Sequence, residues 1–136
     1  MAASVLVDAG FLVALLSGRD AHHEWAVVQA SNLPPPWITC EAAVSEAFHL
    51  MGPQGAPALR AILTRGSLRI GLALADQLHA VLHLMAKYSD VPASLADACL
   101  VRMTELAADS IVLTTDADFR VYRRHGRQII SARLPA

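Results

Sequence analysis

A three-layer α/β/α fold with a mainly parallel central sheet is predicted by three features of the sequence. Short apolar runs alternate with segments of helical periodicity almost throughout. The joints between them are only a few residues long, as strand–helix–strand units require. The 136 residues, 54% of them hydrophobic, suffice for one substantial core. With no internal repeat, low-complexity tract or linker, residues 1–136 read as a single domain.

Ser4 to Val7 has the length and character of a buried strand, stopped by Asp8-Ala9-Gly10. "FLVALL" continues as a helix to Ser17-Gly18, and Asp20 is the expected N-cap of the next, "AHHEWAVVQASN". "LPPP" is incompatible with a helix interior and delivers the chain, extended, to a second strand, "WIT". Thr39 is the expected cap of a helix through Glu41, Glu46 and Met51; "GPQG" breaks it, and "APALRAILTRG" forms another. "LRIGLA" is the third strand. Asp76 opens "QLHAVLHLMAKY", whose leucines and methionine recur at helical spacing. After the loop "SDVP", Ser94 begins "LADACLVRMTELAA", and "SIVLTT" is the fourth strand. A helical turn is expected over Phe119 to Arg124, with "RQIIS" as the last strand.

Composition narrows the function classes. No apolar run reaches the ~18 residues of a membrane span. The start lacks a basic leading segment, and Asp8 splits the apolar stretch that a secretory signal would keep unbroken. A cytoplasmic protein without membrane association is the expectation. Cys40 and Cys99 are too few for a disulfide framework or a thiolate zinc site. The net charge of −1 gives no overall attraction to polyanions, but Arg120, Arg123, Arg124, Arg127 and Arg133 gather late in the chain, so such a contact would be local. His79 and His83 share a helix face without the glutamate of a zinc-protease motif and read as ordinary core or surface histidines.

The acidic residues carry more information. In an open parallel sheet, ligands bind beyond the carboxyl ends of the strands, where the strand order reverses. Asp8 directly follows the first predicted strand, and Asp116 and Asp118 follow the fourth. Asp97 lies in the first turn of the helix feeding that fourth strand, hence at the same edge. Glu46 lies farther into its helix and reaches the rim only if that helix leans across it. Each has an ordinary explanation: Asp8 as a cap, Asp97 as the acidic member of a capping box after Ser94, Asp116 and Asp118 as turn formers, Glu46 as a partner of His49. Together they are harder to dismiss. Anions a few ångströms apart repel by ~4 kcal/mol per pair at an effective dielectric of 20, and the chain has one lysine, Lys87. Neutralising protons or cations are implied, and where a cation is held, all-oxygen ligands select hard ions such as Mg²⁺ or Mn²⁺.

In four stretches, "VLVDAGFLVALL", "TCEAAVSEAFHL", "SLADACLVRMTE" and "VLTTDADF", the chain resembles the PIN-domain family and, within it, VapC-type toxins of toxin–antitoxin pairs. The resemblance covers essentially the whole chain, in the family's order and spacing. It implies a metal-dependent endoribonuclease with Asp8, Glu46, Asp97 and Asp116 as catalytic acids and Asp118 as an auxiliary one. Glu41 competes for the second position; "SEAFHL" favours Glu46. Asp8, Asp97, Asp116 and Asp118 are the candidate metal ligands, and Glu46 is a second-site ligand or orients water. Ala9 and Gly10 stand where relatives often carry a small hydroxyl residue, and Thr115 stands where Asn or another polar residue is frequent. Thr114 or Thr115 could hydrogen-bond Asp116 or a substrate phosphate, or simply finish the strand; Thr115, Arg120, Arg123 and Arg124 are candidate RNA contacts. An antitoxin chain and a homodimer are the implied partners, and apolar surface on "FLVALL" and "APALRAIL" is where a partner would sit.

Other readings remain open: a housekeeping RNA-processing nuclease, or a metal-bearing interaction module that does not cut. A phosphoacceptor receiver would need an acidic pair after the first strand and a late lysine. A dehalogenase-type phosphatase would need D-x-D where this chain has "DAG".

Overall fold

Four strands, β1 (Ser4–Val7), β2 (Trp37–Thr39), β3 (Leu68–Ile70) and β4 (Ser110–Leu113), form a parallel sheet in the computed structural model, which describes residues 3–88 and 90–136. A two-stranded hairpin, β5 (Arg123–Arg124) and β6 (Gln128–Ile129), precedes β7 (Ala132–Arg133), which joins the sheet parallel to β4. The order is β3-β2-β1-β4-β7. The chain thus steps outward from β1 to β3, then returns to the other side of β1. The reversal falls between β1 and β4, and the crevice of such a sheet opens beyond that pair.

The alternation of β1 divides the core. Val5 and Val7 face one layer with Phe11, Leu12, Trp37, Leu59 and Leu113; Leu6 faces the other with Leu100, Val101, Val112, Phe119 and Tyr122. The first layer is built by α1 (Ala9–Leu16), α2 (His23–Asn32) and much of α3 (Glu41–Thr64). The second is built by α4 (Leu74–Lys87) and α5 (Leu95–Leu106). Phe11 anchors α1 edge-on against Trp25 and Trp37, with ring centroids 6.1 and 5.8 Å away.

Several boundaries differ from the sequence reading for local reasons. Thr39 does not cap α3; Cys40 holds that position, and the Thr39 hydroxyl donates to the Val7 carbonyl at 2.7 Å, tying β2 to the end of β1. Asp20 forms a turn, accepting from the His22 amide at 2.8 Å, and α2 starts after His22. The expected break at "GPQG" is a bend: Gly52 adopts φ 65° and ψ −170°, and helix resumes at Pro53, where a proline's missing N–H costs little. β3 ends at Ile70. The helical turn lies earlier, a 3-10 turn over Ala117–Arg120, because Asp116 caps it by accepting from the Asp118 amide. Arg123-Arg124 enters the hairpin instead, closed through His125 and Gly126 at φ 50° and 82°. The expected strand "RQIIS" is split: Ile129 lies on the exposed hairpin, while Ser131 begins the contact with β4, its carbonyl accepting from the Val112 amide at 2.9 Å.

The apolar stretch of α1 is mostly buried or half-buried, and Leu59 and Ile62 of α3 are buried. Exposed large apolar side chains lie elsewhere, at Val27 and Val28 on α2, Leu50 on α3, and Leu78 and Leu82 on α4. Among the described residues no helix is long and apolar enough to cross a membrane.

Candidate active site

Asp8 is the N-cap of α1. Its Oδ1 accepts from the Phe11 amide at 2.8 Å, and its Oδ2 accepts from the Thr114 hydroxyl. Thr114, immediately beyond β4, is fully buried, and its own oxygen accepts from the Asp116 amide at 2.9 Å. One threonine therefore links the carboxyl ends of the two strands that flank the reversal. Gly10 lets the first turn of α1 press against this loop: a Cβ there would collide with the Thr115 hydroxyl and lie 3.5 Å from Asp8 Oδ1.

Asp97 enters from α5 as the third residue of a capping box. Its amide donates to Ser94 Oγ at 3.0 Å, and its Oδ2 accepts from the Ser94 amide at 3.3 Å. The same Oδ2 accepts from the Tyr122 hydroxyl at 3.2 Å. Asp116 has Oδ1 engaged with the Asp118 amide.

These carboxylates act on one another electrostatically. Burial pushes the Asp8 pKa from 3.8 up to about 6; the Thr114 and Phe11 hydrogen bonds oppose this, and the charges of Asp97 and Asp116 add to it. Asp97 is also raised, first by burial and then by the Asp116 carboxylate. Tyr122 is raised by burial and by Asp97, Asp116 and Asp118, so its hydroxyl keeps its proton and donates. Among the described residues the one ion pair joins Arg102 to Glu105, at 3.1 Å on α5, so no lysine or arginine is paired with the pocket.

The donor set is carboxylate oxygen with excess negative charge, which suits a hard divalent cation. No three His, Cys, Asp or Glu side chains among the described residues stand close enough to hold an ion as they are. Asp8, Asp97 and Asp116 are thus neighbours in charge, each restrained by hydrogen bonds, and not a finished chelate.

Glu46 is exposed on α3, and no hydrogen bond or ion pair ties it to the three aspartates. Glu41, also exposed, lies at the start of α3, where its charge acts on the Cys99 thiol of α5. Thr115 and Asp118 are half-buried beside Asp116. Arg120 is exposed. Arg123 Nη1 donates to the carbonyls of Arg120, Val121 and Tyr122 at 2.7 to 3.1 Å, and Arg124 donates to the Thr104 carbonyl through Nε and Nη2 at 3.1 and 2.7 Å. Tyr122 went unnoticed in the sequence, and Thr114 was not separated from Thr115; strand alternation, which buries one and half-exposes the other, is the signal for Thr114.

The model of the PIN domain matches residues 5–125. The chain belongs to the PIN-domain family. Among solved structures, this PIN domain is similar to the Mycobacterium tuberculosis toxin VapC20, described as cleaving the sarcin–ricin loop. The TM-score is 0.78 at 23% identity, covering 87% of this chain and 94% of that one. At that identity the likeness is one of fold. A search of curated proteins finds no match.

Proposed function

We propose that this PIN domain is a Mg²⁺- or Mn²⁺-dependent endoribonuclease, the cytoplasmic toxin of a toxin–antitoxin pair. The observation that carries the reading is the gathering of Asp8, Asp97 and Asp116 beyond the reversal between β1 and β4, with Asp8 held buried, its pKa at about 6, and no basic side chain paired with it. The likeness to VapC20, described as a toxin that cleaves the sarcin–ricin loop, adds support for the toxin assignment and, with it, for an antitoxin partner; a homodimer is part of the proposal on the family resemblance alone.

Asp8, Asp97, Asp116 and Asp118 would hold the cation, which when bound supplies an activated water, Lewis-acid contact with the phosphoryl oxygen and stabilisation of the leaving oxygen. The protein's own contribution is orientation and charge. Phe11 and Thr114 fix both oxygens of Asp8, and the Ser94 amide and Tyr122 fix one oxygen of Asp97. Thr114 sets the distance between Asp8 and the Asp116 backbone. The N-termini of α1 and α5 place positive dipole ends beside these acids, easing their ionisation. Glu46, exposed on α3, would serve only if that helix brought it over the rim, as a second-site ligand or to orient water. Thr115 and Arg120 contact the RNA backbone; Arg123 and Arg124, with most of their donors on carbonyls, contribute less.

Purified protein is expected to cut RNA, ribosomal RNA included, with Mn²⁺ or Mg²⁺, to stop on chelation, and to lose activity in folded Asp8→Asn and Asp97→Asn variants. Expression in a bacterium with mapping of cleaved ends separates a toxin, which arrests growth, from a processing enzyme, which does not. Metal binding without cleavage of any tested RNA refutes the nuclease reading.

A further inference from the structure

We propose that Tyr122 is a positioning residue for the acidic pocket, selecting which oxygen of Asp97 is left for a cation. The inference rests on the metal-dependent reading above and adds a residue to it. The Tyr122 hydroxyl and the Ser94 amide both donate to Asp97 Oδ2, at 3.2 and 3.3 Å, so the protein's donors concentrate on one oxygen and Oδ1 is the freer ligand.

Tyr122 is built to hold that place. It is fully buried, its amide donates to the Asp118 carbonyl at 3.0 Å, and its ring is wedged edge-on between Phe119 and Tyr88, with both centroids 5.1 Å away. Asp118 belongs to the loop that carries Asp116. Through Tyr122, α5 and the loop after β4 are held in one arrangement, although they belong to different crossover units. A side chain locked by packing and donating to a metal-binding carboxylate limits the orientations that the carboxylate must give up on binding. Loss of such an outer partner typically weakens metal affinity 10- to 100-fold.

Tyr88 supplies the control. Its hydroxyl accepts from the Arg123 amide at 2.7 Å and meets no carboxylate, yet its ring belongs to the same aromatic group. Calorimetric titration of metal-free protein with Mn²⁺ is expected to show about tenfold weaker binding in Tyr122→Phe and unchanged affinity in Tyr88→Phe, with both variants folded. Unchanged affinity in Tyr122→Phe, while the wild type binds Mn²⁺ and cuts RNA, overturns the positioning role alone. Equal weakening in both variants overturns it too, assigning the effect to packing. A wild type that binds no Mn²⁺ defeats the metal reading, and this inference with it.

Discussion

Removing the charge of Asp8 should stabilise the metal-free protein, although it removes a residue central to the proposed chemistry. Burial raises this carboxyl from 3.8 to about 6, so the folded chain holds the proton more tightly than the unfolded one. The associated stability is fully present below about pH 4 and is lost as pH rises through about 6. At ~1.4 kcal/mol per pH unit, the loss is about 3 kcal/mol by neutral pH. Asp8→Asn does not titrate. Its Oδ1 can still accept from the Phe11 amide, and Asn caps helices as well as Asp does. The Thr114 hydroxyl loses its acceptor at Oδ2, a cost of about 1 kcal/mol. The balance at pH 7.5 is about 2 kcal/mol in favour of the variant. For a chain of 136 residues that is a rise of about 7 °C in Tm. Urea unfolding of both proteins in EDTA from pH 4 to 7.5 checks this, since the other acids largely cancel in the difference. The variant should begin about 1 kcal/mol less stable at pH 4 and finish about 2 kcal/mol more stable. Mn²⁺ at ten times its Kd should then stabilise the wild type by about 1.4 kcal/mol and the variant little. A stability difference that stays flat with pH, or an Asn variant that is weaker at pH 7.5, refutes the electrostatic account of the pocket.

Thr114→Val leaves a buried carboxylate oxygen without its donor and the Asp116 amide without its acceptor. It should cost about 1–3 kcal/mol in urea unfolding at pH 7.5 and lower RNA cleavage at least tenfold. Gly10→Ala drives a methyl group into the Thr115 hydroxyl; a lower Tm and reduced cleavage are expected, and Thr115→Ala, which removes that hydroxyl, should restore Tm in the double variant. Arg120→Ala should leave Tm unchanged and flatten the salt dependence of RNA binding by a slope of about 0.7, the value of one single-strand phosphate contact. Arg124→Ala, by losing two hydrogen bonds to the Thr104 carbonyl, should do the reverse: lower Tm, same salt slope.

The parts of this molecule legible in its sequence are those set by chain direction. Asp8 and Asp116 end strands, and Asp97 begins a helix; in a parallel sheet all three positions lie at the same edge whatever the loops do. The strand order was not read from the sequence; the structure supplies it, and the reversal falls between β1 and β4, the two strands that Asp8 and Asp116 follow. Glu46 was not placed this way, because its position depends on how α3 crosses the sheet edge, a matter of packing against α1 and α5. The end of the chain misled for a different reason. "RQIIS" carries the β-branched isoleucines of a strand, but two of its residues satisfy their hydrogen bonds in the hairpin with Arg123-Arg124, and pairing to β4 begins only at Ser131. Tyr122 was invisible because its partner, Asp97, lies 25 residues earlier and nothing local marks the contact.

The ordinary explanation of the acids and the proposed functional one describe the same arrangement. Asp8 is a helix cap and Asp97 closes a capping box, as their sequence positions suggested. Each capping bond engages one oxygen and so fixes how the carboxylate is turned. A cap also places the acid where backbone N–H groups point outward, which favours the charged form despite burial. At Asp8 these favourable contacts are outweighed by desolvation, and the pKa still rises to about 6. A cap serving stability alone would be better exposed, where ionisation is cheap. A buried capping carboxylate, Asp8, next to the charges of half-buried Asp97 and Asp116 and without a paired arginine or lysine, imposes a cost on the empty fold that a bound cation would remove.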